Sequence, residues 1–571
     1  MKYTTRRNLR RIGPLALGLT LLANASLITG ALASTYYLDN DGADQTACGT
    51  SACGSTACRT YLFLRSELPG ETLGEGDTVI LCATESNTVN YGDGIDRGID
   101  ISTDDVTIRG ESPCDPNLEC TTKISGGRHV QPSNPNAVIR VRDAANVTVR
   151  DLEVTGTYVG AAGVLFNSSH DFNVVNVFTH DSQGPGMKCG AGGPGGREAA
   201  LRGSIRNSRV KDDCQSLGGC AGILAFACPL LEIENVRVDG TGSPPSGDRD
   251  GIHITNSHGF VIRGGRMWGW SEDGIDLSRT GSGNDSCTSW NGGGCVGGST
   301  EGLSCERDAD CDGGGSCRRW LIESTVVYGN TLSGTGSALA IKSCAHHGTI
   351  RNNFLEDLSG TGDTLRFEAC SHDVQVHNNS MYGHIKLWEN TYALDIRNNI
   401  IVSDNPSVGA LTICDHCVNL LPGDETTFDH NLVYSRSTSR AISGFPGAGA
   451  TPVSEELDCN GYPCCKAQPG GDSQHYTNDQ GTEFTSDNQL GGVGSNNIFG
   501  ADIAFVDETA APIDLHLPPG TNETVQGSGA SLAGFTDDID GDPRGSSWDI
   551  GADQAALWDP RLLSAEPVPE P

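Results

Sequence analysis

Two stretches of this chain repeat one phrase with different charges in it. Residues 338–353 read ALAIKSCAHHGTIRNN and residues 364–379 read TLRFEACSHDVQVHNN, which sets Lys342 and Arg366 in neighbouring copies. A second phrase, DRDGIHIT (248–255) and then SEDGIDLS (271–278), carries Asp250, Asp273 and Asp276. Carboxylates on adjacent repeats fall within the ~5–9 Å spacing that glycoside hydrolysis requires of its pair. A third group, Asp308, Asp310, Asp312 and Gly313, matches the start of a D-x-D-x-D-G calcium loop, with Arg319 at position twelve in place of Glu. Each group has a plainer reading. Asp-Gly before a strand is a common turn, an acidic turn can simply be solvated, and Arg366 and Lys386 can pair locally with Glu368, Asp363 or Asp276.

The elements that must position these residues are short strands. An apolar-x-apolar unit recurs as NVTVRDLEV (146–154), DFNVVNVFT (171–179), LEIENVRV (231–238), GTIRNNFL (348–355), VQVHNNSM (374–381) and ALDIRNNII (393–401). A second unit interleaves with it: GVLFN (163–167), GILAF (222–226), GIHIT (251–255), GIDLS (274–278), ALAIK (338–342), TLRFE (364–368) and HIKLW (384–388). Strands of period two, a repeat in the twenties and almost no helical periodicity describe a solenoid, in which one coil cannot bury its inward residues but a stack can. Asn176, Asn207, Asn235, Asn352, Asn378 and Asn398 follow the strands, where a sharp turn wants a left-handed residue and amides can ladder between coils.

This pattern resembles the right-handed parallel β-helix of the pectin-lyase-like proteins, an all-β fold, over 76–434. CRTYLFLRSELPGETLGEGDTVIL (58–81) looks like the cap and first strand that open such helices, and TDDIDGDPRGSSWDIGADQ (536–554) resembles a closing motif of secreted bacterial members. In that fold ligands lie on the face to which GIHIT belongs. With Ile252 and Ile254 inward, one outward column reads Asp100, Arg140, Leu165, Lys188, Leu224, His253, Asp276, Ala340, Arg366, Lys386, Thr412. A second reads Ser102, Arg142, Asn167, Gly190, Phe226, Thr255, Ser278, Lys342, Glu368, Trp388, Cys414. Six of these 22 positions are basic against 38 of 571 in the whole chain, so the face is enriched in cations. Such a stripe suits an anionic polysaccharide lying along the axis, with Arg140, Arg142, Lys188, His253, Asp276, Lys386 and Trp388 as candidate substrate contacts.

IKSC (341–344) followed by TLRF (364–367) is similar to the NKS and LRHG motifs of the polysaccharide lyase family of alginate lyases and chondroitinase B. That resemblance implies β-elimination with Lys342 as base and Arg366 assisting as acid, beside calcium for which Glu368 is a candidate ligand. A base of this kind needs a lowered pKa and a cation to neutralise the adjacent carboxylate. The His that follows the family's Arg is absent, because Phe367 and Glu368 come next. Asp212-Asp213-Cys214 and Ser257-His258-Gly259 resemble polygalacturonase motifs, yet Ser-His recurs at 169–170 and 371–372 and reads as part of the repeat.

Composition bounds the rest. Residues 1–33 read as a secretory signal peptide, with Lys2, Arg6, Arg7, Arg10 and Arg11 before an apolar run and Ala31-Leu32-Ala33. Its removal takes the formal charge from −34 to −39, since it holds five basic residues and no acidic one. Nucleic acid is therefore an improbable partner, no later run is long enough to span a membrane, and the expectation is a secreted or cell-surface bacterial protein that is monomeric. The 22 cysteines all lie beyond the signal and point to disulfides. The organisation that follows is an N-terminal cap region (34–75), the β-helix (76–434) with a Cys-rich insertion (281–319), an irregular C-terminal extension and cap (435–554) and a disordered tail (555–571). Three functions fit: a polyuronate lyase, a glycoside hydrolase using Asp250, Asp273 or Asp276, and a non-catalytic glycan-binding or scaffold β-helix.

Overall fold

In the coil after the Cys-rich insertion, Ser337–Ile341, His346–Arg351 and Phe354–Glu356 form three strands, and Asp363–Phe367, His372–His377 and Ser380–Tyr382 repeat them one coil later. Each strand alternates as its sequence does: in His372–His377 the side chains of Val374 and Val376 are fully buried and Gln375 between them is not. Equivalent strands pair in parallel, so that His346–Arg351, His372–His377 and Tyr392–Arg397 lie side by side in register. The rest of each coil is the crossover that a parallel pair requires, and such crossovers are right-handed. The result is the parallel β-helix expected from the repeats. The computed structural model describes residues 33–554 apart from a number of segments, the longest being 40–52, 91–97, 126–136, 191–199, 241–248, 279–292, 329–335, 414–425, 444–456 and 464–493. The signal-peptide stretch through residue 32, the 555–571 tail, Trp388 and Cys414 lie outside the described residues.

One face is a sheet of twelve strands running from Ile99–Ile101 to Ile442–Ser443. The other two faces join into one ladder, because strands such as Thr148–Thr155 and Asn173–His180 continue round the corner between them. At that corner Asp151, Asn176, Asn207, Asn235, Asn352, Asn378 and Asn398 all have φ between 47° and 57°. Asn and Asp tolerate this left-handed conformation better than other side chains, so the turn chemistry expected of these residues is the one seen. The continuous amide ladder is carried by the next residue instead. Asn353, Asn379, Asn399, Asn431 and Asn497 each hold the next through Nδ2 donating to Oδ1 at 2.9–3.0 Å, while the same Oδ1 accepts a backbone N–H at 2.9–3.1 Å.

The interior is filled by stacked columns of inward residues, as in the fully buried series Ile252, Ile275, Leu339, Leu365, Ile385 and Leu411 and the parallel series Ile254, Leu277, Ile341, Phe367 and Leu387 behind the twelve-stranded sheet. At the N-terminal end Thr35–Leu38 pairs with Thr78–Leu81, and Cys53–Cys82 ties the intervening segment down. Further disulfides join Cys114–Cys120, Cys189–Cys228 and Cys214–Cys220. The insertion is stapled by Cys295–Cys311 and Cys305–Cys317, and Arg318 Nε donates to the Gly259 carbonyl (2.7 Å), docking it on a rim of the coil stack. The described part of the C-terminal extension packs on a side of the helix, where Ile503, Phe505, Leu515, Leu517 and Ile550 cover Phe354, Ile400, Val402 and Leu432. No helix among the described residues is long and apolar enough to cross a membrane.

Candidate functional site

The twelve-stranded sheet aligns its first outward column as the alternation demands. Asp100, Arg140, Leu165, Lys188, Leu224, His253, Asp276, Ala340, Arg366, Lys386 and Thr412 are successive register partners. In the second column Thr255 pairs with Ser278, but Thr255 is fully covered rather than solvent-facing, with its hydroxyl turned to His253. The cations of the stripe differ in their company. Arg140 is clamped by both carboxylate oxygens of Asp100 at 2.9 and 2.6 Å, and Arg142 reaches the same carboxylate at 3.3 Å. Lys188 stands apart, with no ion pair or hydrogen bond among the described residues, and burial pushes its pKa down.

The centre of the sheet holds a cluster built from four consecutive coils. Lys342 Nζ lies 2.6 Å from Asp273 Oδ2, 3.3 Å from Asp276 Oδ1 and 4.0 Å from Glu272 Oε1. Arg366 reaches the same Asp273 carboxylate at 3.6 Å, Glu368 at 3.3 Å and Asp363 at 4.0 Å. His253 Nδ1 donates to Asp250 Oδ2 (3.0 Å) and lies 3.7 Å from Asp276 Oδ2. Its Nε2 is 2.8 Å from Thr255 Oγ1 and 2.9 Å from Ser278 Oγ. Backbone amides complete the frame: Asp273 N–H donates to Asp250 Oδ1 (3.2 Å), and Ser337 N–H to Asp273 Oδ1 (2.6 Å). The residues read from sequence as two competing sites, Lys342 with Arg366 and the three aspartates, are thus brought together in one cluster.

Electrostatics follow from this packing. Burial pushes Asp250 up to about 6 against the pull of its His253 hydrogen bond, and burial raises Asp273 despite Lys342 beside it. Burial alone would lower Lys342, but Asp276 and Asp273 outweigh it and hold the ammonium above its ordinary value. The lowered pKa that a lysine base needs is absent in this state. For His253 too, burial is outweighed by the bond to Asp250 and the charge of Asp276, which raise it.

Sequence reasoning missed His384. His384 Nε2 lies 2.9 Å from Asp363 Oδ1, and Lys386 Nζ is 3.9 Å from the other oxygen. His384 is the register partner of Asp363 across a bulge, a signal hidden because the shift there breaks the simple alternation. Asp273 was readable as a turn residue before the strand Ile275–Ser278, and its sequence position says nothing of its place between two cations. Asp250, by contrast, lies within the strand Arg249–Thr255 rather than ahead of it.

Calcium would need six to eight oxygen donors. The group on this face whose ligand atoms converge within 4.8 Å is Asp250, His253 and Asp276, which includes an imidazole and faces the Lys342 ammonium. Glu368 is engaged by Arg366, and Asp308, Asp310 and Asp312 are exposed on the insertion, where Asp308 accepts the Cys317 N–H at 2.7 Å. This donor set does not suit calcium at the cluster.

Among solved structures the chain is similar to the mannuronan C-5 epimerase AlgE4 A-module of Azotobacter vinelandii (16% identity, 66% of this chain and 90% of that one, TM-score 0.42). It is similar also to a rhamnogalacturonan lyase (14%, 64% and 87%, TM-score 0.42) and to the pectate lyase Pel9A (13%, 92% and 97%, TM-score 0.39). No protein-family model and no curated protein matches the chain. At such identities the chemistry of the cluster is read from its own geometry.

Proposed function

We propose that this is an extracellular polysaccharide-acting protein whose twelve-stranded sheet takes an acidic polysaccharide and cleaves it by β-elimination. The observation that carries the reading is a layering of charge. Side-chain exposure is 15% for Lys342, 13% for Arg366, 21% for His253 and 24% for Lys386, against 0% for Asp273 and 6% for Asp250 and Asp276. A ligand lying on the sheet therefore meets these cations and an imidazole, while Asp250, Asp273 and Asp276 sit beneath as their counter-charge; Glu272 and Glu368, 26% and 23% exposed, flank the cations at the surface. That order favours a uronate over a neutral glycan. In a hydrolase the carboxylates themselves would have to meet the sugar.

Within this reading the roles change from those the family resemblance implied. Lys342 and Arg366, kept charged by Asp273, bind and neutralise the uronate carboxylate, which acidifies the adjacent C–H. His253, oriented through Nδ1 by Asp250, accepts the C–H proton once it is neutral, and the imidazolium so formed returns a proton to the glycosidic oxygen that leaves as its C–O bond breaks. No step is assigned to calcium. The disulfides suit an oxidising compartment, in keeping with export.

Incubation with alginate, pectate and glycosaminoglycans, followed by the ultraviolet absorbance of the unsaturated product, tests the proposal. A signal lost in both Lys342→Ala and His253→Gln supports it. Release of reducing ends without that absorbance would replace it with hydrolysis, and polymer binding with neither product would replace it with a binding scaffold.

A further inference from the structure

We propose that Lys188 forms a remote carboxylate-binding subsite on the same sheet, holding an acidic sugar two coils from His253. The proposal rests on the reading of the site as one that takes an acidic polysaccharide. The other cations of the stripe each have a carboxylate: Arg140 and Arg142 share Asp100, Lys342 and Arg366 share Asp273, and Lys386 faces Asp363. Lys188 has none. Its register partners are Leu165 on one side and Leu224 on the other, and burial is the sole influence on its ammonium. A partly buried charge without a partner costs free energy, and the packing of this column does not call for one, since leucine occupies the same place in both flanking coils.

A ligand carboxylate supplies what is missing. It would give Lys188 a charge-assisted hydrogen bond, while the partly exposed Leu224 offers apolar surface to the C–H edge of a pyranose ring. The column runs Lys188, Leu224, His253, so the two polar groups are two strand spacings apart, about 10 Å. An extended polysaccharide along the axis advances about one sugar per coil. Lys188 would then read the acidic group two residues from the one that reacts at His253, and would make the site prefer polymers to short oligomers.

The test uses the full chain and purified oligo-uronates of increasing length. For Lys188→Ala, the ratio of its KM to the wild-type KM is expected to grow with length, reaching about tenfold once the oligomer spans both coils. Lys188→Arg, which keeps the charge, is expected to restore most of the loss. A ratio that stays at one for every length, or that is equally raised for the shortest and the longest, overturns the subsite. Retention of the same proteins in gels containing alginate or pectate separates the two levels of the argument. If the wild type neither turns over nor is retained by any polymer, the reading of the whole site falls and the subsite with it. If the wild type is retained and Lys188→Ala is retained equally, the subsite alone falls.

Discussion

Two columns of buried polar side chains run along this helix, and they are built on opposite logics. At the corner of the back faces, Asn353, Asn379, Asn399 and Asn431 are neutral, fully buried and matched one to the next, each donor meeting an acceptor at 2.9–3.1 Å. On the twelve-stranded sheet the buried groups are charged, and they are shared: Asp273 serves Lys342 and Arg366 together, and Asp276 stands between Lys342 and His253. The first column satisfies every backbone group it touches and so holds the stack together. The second leaves Lys342, Arg366 and His253 partly exposed above the buried Asp273, Asp276 and Asp250. Buried polarity that is closed on itself reads as architecture. Where it opens to solvent on one side, it reads as a site.

That contrast can be broken. The largest effect is expected for Asp273→Asn, which leaves Lys342 and Arg366 sharing a neutral amide in a site from which water is largely excluded. The loss should be about 3–5 kcal/mol of unfolding free energy in urea titrations, with turnover abolished. A variant that is inactive yet as stable as wild type would show the cluster to carry little of the fold. Next is Asn379→Ala, which removes the acceptor of the Asn353 N–H and Nδ2 and the donor to the Ile350 carbonyl. About 3 kcal/mol of stability should go, with kcat retained by the molecules that stay folded. A fall in kcat would join the two columns functionally.

Smaller effects sharpen the comparison. His253→Gln should lower kcat about a hundredfold, with little change in melting temperature at a pH above the folded pKa of His253, where the imidazole is already neutral. Because the folded pKa of His253 is raised above 6.5, its ion pairing stabilises the fold fully below that pH and is lost as pH climbs through the folded value. Turnover should have the opposite slope, rising with pH as the imidazole becomes neutral, and this limb of the pH–rate profile should vanish in His253→Gln. The smallest effect belongs to Arg142→Ala, whose side chain is 45% exposed and whose acceptor Asp100 keeps Arg140. A change of less than about 0.5 kcal/mol is expected, read by thermal unfolding.

The amino-acid sequence by itself determined the coil, the alternation and the columns. Period-two runs of Val and Ile between Asn and Gly turns leave one packing solution, and once Ile252 and Ile254 face inward the outward order from Asp100 to Thr412 follows arithmetically. It placed Lys342, Arg366 and His253 on one face for the same reason. The tertiary structure decided who neutralises whom. Asp273 precedes its strand and so carries no alternation signal, yet coil stacking brings its carboxylate between cations 69 and 93 residues further on. His384 is set opposite Asp363 by a bulge that no periodicity announces. Strand registers are local and repetitive, and therefore written in sequence. The protonation state of a lysine depends on charges within a few ångströms in space, and only the stacked coils supply those.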